Sequence, residues 1–156
     1  HVGVTEAGAL RQGTVKNAAA VGILLESGIG DTMRLSLTAD PVEEVHVAWE
    51  LLAALGMRRI KPELVSCPTC GRCGVDMIPI AEEVTKRLDG VRAPISVAVM
   101  GCVVNGPGEA RGVDLGVACG KGQAVLFENG NPLRKVPENK IVDELFAEIE
   151  NRFGKK

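Results

Sequence analysis

The stretch Gly28-Ile-Gly-Asp-Thr-Met-Arg-Leu-Ser-Leu-Thr-Ala-Asp40-Pro41-Val-Glu43 decides the architecture, because it passes from a strand directly into a helix. Over residues 31–38, Met33, Leu35 and Leu37 alternate with Arg34, Ser36 and Thr38, which is the period of a half-buried strand. Asp40 then offers an N-cap, Pro41 suits the first helical position, and Glu43 stands where a capping box closes. The spacing predicts a helix with Val45, Ala48, Leu52 and Leu55 inward and Gly56 at its C-terminal stop.

Toward the N-terminus, His1-Val-Gly-Val-Thr-Glu-Ala-Gly8 reads as a short buried strand ending in a polar turn. Residues 13–27 read as a helix with Val15, Ala18, Ala19, Gly22 and Leu25 inward, stopped by Gly28 and Gly30. Residues 1–57 are therefore strand–helix–strand–helix, which implies parallel pairing with right-handed crossovers. Two such units cannot cover both faces of a parallel sheet. Either they finish a larger barrel, or the rest of the chain completes the sheet.

Toward the C-terminus, residues 57–64 are basic and irregular and read as a linker, followed by a cysteine loop at 67–73. A helix is predicted over 76–89 with Ile78, Ala81, Val84 or Thr85, and Leu88 inward. An apolar strand at 95–100 runs into Gly101-Cys102, and a second strand covers 113–118. Segments 124–127 and 133–136 flank Asn129-Gly130, a hairpin turn signal. A last helix over 138–153 buries Ile141, Val142, Leu145, Ile149 and Phe153. Residues 64–156 thus form a small α+β domain, and the whole chain belongs to the α/β class.

Composition narrows the function. The 156 residues are 46% hydrophobic, enough for a packed core. Charge is balanced, 18 Lys+Arg against 20 Asp+Glu, and there are one Trp, three Phe and no Tyr. A nucleic-acid partner, which needs a basic face or stacking aromatics, is not expected. No apolar run is long enough to span a bilayer, so no membrane role is expected. The start at His1 without Met suggests a fragment or a processed chain. The five cysteines are odd in number and clustered, which fits reduced thiols in the cytoplasm and metal ligation better than a disulfide framework.

Cys67-Pro-Thr-Cys70 places two sulfurs on one side of a loop, and Cys73 follows three residues later. A zinc ribbon needs a second such pair, which Cys102 and Cys119 do not supply. Cys67, Cys70 and Cys73 match the first three positions of a ferredoxin-like run, and a thioredoxin-type redox pair is a further option. Spacing alone makes Cys73 the third ligand. The segment Gly101-Cys-Val-Val-Asn-Gly-Pro-Gly-Glu109 adds a thiol in a glycine-rich loop whose amides can approach a bound group, closed by a carboxylate. Three thiolates and one carboxylate suit a cubane cluster with one weakly held iron.

The strings Ser66-Cys-Pro-Thr-Cys-Gly-Arg72 and Gly101-Cys-Val-Val-Asn-Gly-Pro-Gly-Glu-Ala110 resemble the signature of the 4-hydroxy-3-methylbut-2-enyl diphosphate synthase (GcpE) family. So do His1-Val-Gly-Val-Thr-Glu-Ala-Gly8, Gly28-Ile-Gly-Asp-Thr-Met-Arg-Leu-Ser36 and Arg134-Lys-Val-Pro-Glu138. The resemblance implies that 1–57 are the last two βα units of a TIM barrel and 64–156 an iron–sulfur domain carrying a 4Fe-4S cluster. It implies a reductive ring opening of 2-C-methyl-D-erythritol 2,4-cyclodiphosphate, fed by ferredoxin or flavodoxin, in a full-length homodimer. The implied cluster ligands are Cys67, Cys70, Cys102 and Glu109. Glu6 is implied in proton transfer, Asn105 beside substrate and cluster, and His1, Arg34 and Ser36 in diphosphate contact. A fragment of this length is not expected to turn over alone. Cys73 and Cys119 depart from the family pattern and read as small apolar fillers or incidental surface thiols.

Bland readings compete at several of these positions. Glu109 also reads as a solvated carboxylate, Glu6 as a helix cap, Arg34 as an ion-pair partner and Asn105 as a turn residue. The contrasting functional reading is a non-catalytic zinc- or redox-binding module built on Cys67, Cys70 and Cys73.

Overall fold

The computed structural model describes residues 1–102, 110 and 112–154, which fall into two compact units, His1–Ile60 and Lys61–Lys156. In the first, β1 (Val2–Gly3) and β2 (Met33–Arg34) pair in parallel, with Val2 opposite Met33 and Gly3 opposite Arg34. Helices α1 (Leu10–Glu26) and α2 (Pro41–Ala54) follow their respective strands. Val21, Leu35, Val47 and Leu51 form the core, joined by Val2, Val4, Met33 and Leu37 from the strand segments.

The helix ends follow local chemistry. Asp40 accepts the Val42 N–H at 2.9 Å, as an N-cap should. Gly56, at φ 66°, ends α2 with its N–H on Ala53 O. Glu43 does not close a capping box among the described contacts; it faces His46 at 3.8 Å, while Glu44 accepts the Leu37 N–H at 2.9 Å. The inward faces agree with expectation in part: Gly22 is buried, and Ala18, Leu25, Ala48 and Leu55 pack against the core. Val15 is 66% exposed and Val45 46%, whereas Gly13, Asn17 and Val21 on α1 and Val47 and Leu51 on α2 are buried. Both helices carry apolar side chains on two flanks, so periodicity alone does not select the one that meets the strands.

The second unit is a five-stranded mixed sheet in the order β3 (Glu63–Ser66), β4 (Ser96–Met100), β5 (Leu115–Gly120), β6 (Gln123–Glu128), β7 (Asn131–Pro137). The first two pairings are parallel and the last two antiparallel. Helix α3 (Met77–Leu88) connects β3 to β4, and α4 (Ile141–Phe153) follows β7 after a turn of 3₁₀ helix. Strand β3 corrects the end of the linker reading: Glu63 and Leu64 are strand because they pair with buried β4, while 57–62 lie outside any helix or strand. Ile78, expected inward on α3, is 58% exposed; Met77, Val84 and Leu88 face the core. Asn129 (φ 48°) and Gly130 (φ 78°) form the β6–β7 turn, both in the left-handed region a two-residue hairpin requires. Among the described residues, no helix is long and apolar enough to cross a membrane.

Candidate functional sites in the two units

In the first unit, strand alternation separates two faces. Val2, Val4, Met33, Leu35 and Leu37 pack into the core against the helices. His1, Thr5, Thr32, Arg34 and Ser36 occupy the alternate positions, and hydrogen bonds cross between the segments. His1 Nδ1 meets Thr32 Oγ1 at 2.8 Å, and Arg34 Nη2 donates to Thr5 Oγ1 at 3.1 Å. Gly3 lies between them. A Cβ there would stand 2.5 Å from Arg34 O and 3.3 Å from Arg34 Cβ, so a side chain would displace the arginine. Three implied substrate contacts, His1, Arg34 and Ser36, therefore share one face of the strand pair.

Two elements hold this face. Asn17 on α1 is fully buried and donates through Nδ2 to Gly13 O at 2.9 Å and to Ser36 O at 3.2 Å. It fixes the backbone at Ser36 from the helix side. Glu6 lies in the turn after β1 at φ 59°, a left-handed conformation unfavourable for a residue with a Cβ. Its side chain is exposed. Periodicity predicted the Arg34–Ser36 face, but Thr5, Thr32 and Asn17 were not singled out. The signal for the two threonines was the same alternation; Asn17 gave none, being a polar residue inside a helical stripe.

In the second unit, β3 and β4 end side by side and deliver the cysteines. Cys67 follows β3 and bonds its N–H to Val99 O at 3.3 Å. Gly101 follows β4 and donates its N–H to Cys67 Sγ at 3.0 Å. The loop then reverses through Cys73 N–H to Cys70 O at 2.9 Å and returns to the strand end through Gly74 N–H to Gly101 O at 2.9 Å. Gly101 is a cradle that only a residue without Cβ can form. A Cβ there would lie 2.5 Å from Cys73 Sγ and 3.5 Å from Cys67 Sγ. Cys102, half-buried, comes next in the chain.

The cysteines differ in environment. Cys70 is exposed, and the Arg72 N–H, aided by the Arg72 guanidinium, holds its thiol below the usual range. Cys119, on β5, is fully buried, and burial above all, then the neighbouring Cys73 and Cys67, pushes its thiol up to about 12. Cys73 donates its S–H to Val75 O at 3.1 Å and packs against the core together with Cys67. The structure therefore brings Cys73 beside Cys67, which spacing allowed. Among the described residues, no three Cys, His, Asp or Glu are gathered in a metal-coordinating arrangement. Asn105 and Glu109 lie outside the described residues.

A model of the GcpE protein C-terminal domain matches residues 63–151, and one of the GcpE TIM-barrel domain matches residues 1–49. The 4-hydroxy-3-methylbut-2-en-1-yl diphosphate synthase (flavodoxin) of Geobacter sulfurreducens is 57% identical over 100% of this chain and 44% of its own length. Proteins of the same name from Aquifex aeolicus and Bacillus subtilis are each 55% identical, covering 97% and 96% of the chain and 42% and 40% of their own lengths. The chain thus spans less than half the length of these relatives. With both units matched, in the order the fold shows them, the chain belongs to the GcpE family.

Proposed function

We propose that the chain is the portion of a 4-hydroxy-3-methylbut-2-enyl diphosphate synthase that supplies the last two βα units of a TIM barrel (1–57) and the iron–sulfur domain (64–156). The exposed apolar flanks of α1 and α2, with Val15 and Ile23 on one and Val42, Val45 and Trp49 on the other, support the barrel reading. Barrel helices pack sideways on their neighbours, and these flanks are the surface such neighbours would cover.

The observation that carries the cluster reading is the Gly101 cradle. Thiols are the donors iron–sulfur clusters take, and the Gly101 N–H aimed at Cys67 Sγ is the kind of backbone hydrogen bond that cluster sulfurs receive. The donor chemistry fits a 4Fe-4S cluster, held by Cys67, Cys70, Cys102 and Glu109. When bound, the cluster supplies electrons, received from reduced flavodoxin or ferredoxin, for reductive opening of the cyclic diphosphate. The chain's own residues do the rest. The polar face of β1 and β2 presents Arg34, Ser36 and His1 to the diphosphate, with the arginine guanidinium as its charge partner. Asn17 keeps the Ser36 segment in place. Glu6, exposed beside that face in a strained turn, holds the proton that leaves with the departing oxygen as water, and Asn105 orients the substrate next to the cluster. Turnover is assigned to the full-length homodimer in the cytoplasm.

Substitution of Cys102 tests the ligand set. Cys102→Ser, reconstituted anaerobically with iron and sulfide, is expected to lose most of the iron the unsubstituted chain retains. Equal retention by both would remove Cys102 from the set and favour a centre on Cys67, Cys70 and Cys73.

A further inference from the structure

The thiol that the fold places beside Cys67 has no part in the ligand set proposed above. Cys67 and Cys73 sit on either side of Gly101: both sulfurs lie within 3.5 Å of the point where a Gly101 Cβ would stand. Each is anchored to the same strand end. Cys67 is held by its N–H to Val99 O and by the Gly101 N–H on its sulfur, Cys73 by the turn to Cys70 O and by the Gly74 N–H to Gly101 O that follows it. Cys70, the C-x-x-C partner that sequence pairs with Cys67, occupies the exposed tip of the loop. Cys119 is fully buried on β5, out of reach of an oxidant in solvent. All five cysteines are unbridged.

We propose that Cys73 is the redox partner of Cys67, and that a reversible Cys67–Cys73 disulfide closes the cysteine loop in the cluster-free chain. The oxidant is a small-molecule disulfide such as oxidised glutathione. One thiolate of the pair attacks it, breaking its S–S bond, forming a mixed disulfide and releasing one reduced thiol. The second cysteine then attacks the protein sulfur, forming the Sγ–Sγ bond and releasing the second reduced thiol. Two electrons pass to the oxidant, and the two protein protons end on its thiols. The bridge keeps Cys67 from over-oxidation to sulfinic acid and is opened by a dithiol. Its consequence for metal uptake rests on the cluster reading above; the pairing itself does not.

Peptide mapping tests the pairing. The reduced, cluster-free 156-residue chain is treated with oxidised glutathione, alkylated and digested with trypsin, which cuts after Arg59, Arg72 and Lys86 and places Cys67 and Cys70 on one peptide and Cys73 on the next. The expected product joins those two peptides, persists in Cys70→Ser, and is lost in both Cys67→Ser and Cys73→Ser. A Cys67–Cys70 bridge with Cys73 alkylated, a bridge to Cys119, or glutathione adducts alone would overturn the proposal. In parallel, the bridged chain is expected to take up no iron until dithiothreitol is added, and uptake equal to that of the reduced chain would overturn the metal consequence. A reduced chain that takes up no iron counts against the cluster reading and leaves the peptide result to decide the pairing.

Discussion

At the scale of single residues, the decisive position is Gly101, whose missing side chain lets two sulfurs and the Met77 side chain close around a strand end. An added methyl would stand 2.5 Å from Cys73 Sγ and 3.1 Å from Met77 Cγ, too near for either to stay in place. Gly101→Ala is expected to destabilise the chain by about 1–3 kcal/mol, the usual cost of overpacking, measured by urea unfolding. Adding Cys73→Ala should recover most of that loss, because it removes the sulfur in closest conflict. The legibility of this site in the sequence was uneven. The cysteine segments stood out by spacing, and the strand-end glycine could be read as a place for close backbone approach. That Cys73 rather than Cys70 shares the cradle with Cys67 could not be read. A spacing of three residues puts all three thiols in one loop and does not say which way the turn at 70–73 folds back.

At the scale of elements, chain punctuation was the readable part. Asp40, Gly56 and Asn129-Gly130 act through their own backbone geometry, so what they do is local and survives packing. Asp40→Ala is expected to cost about 1 kcal/mol, since it leaves the Val42 N–H without its carboxylate acceptor; the fall in urea midpoint measures it. On α1 and α2, Gly22, Ala18, Leu25, Ala48 and Leu55 were legible as inward, but Val15 and Val45 were misplaced inside, because an apolar residue on a helix flank looks the same whether its partner lies beneath or beside it. The strand β3 was missed for a related reason. Its four residues, Glu63–Ser66, are too few and too mixed to alternate convincingly, and they are a strand because β4 offers them a ladder.

At the scale of the molecule, each unit has its own core, and charge ties the outer edge of the second. Arg134 on β7 bonds Glu144 at 2.5 Å and Glu148 at 3.2 Å, and Arg152 bonds Glu148 at 2.6 Å and also meets Glu128 on β6. Arg152, then Arg134, holds the Glu148 carboxyl below its ordinary value of 4.5. A carboxylate depressed in the folded state adds stability above its unfolded value and loses it as pH falls through the folded one. Glu148→Gln is therefore expected to lower the melting temperature at neutral pH. The gap to the unsubstituted chain should narrow as pH falls below 4.5, where the wild-type glutamate also becomes neutral. A gap unchanged down to pH 3 would place the effect in packing instead.

The central claim is that the second unit is an iron–sulfur domain, and metal content tests it most directly. The 156-residue chain, reconstituted and desalted without oxygen, is expected to be brown and to carry about four iron and four acid-labile sulfide per chain. Colourless protein, or zinc bound without sulfide, would contradict it.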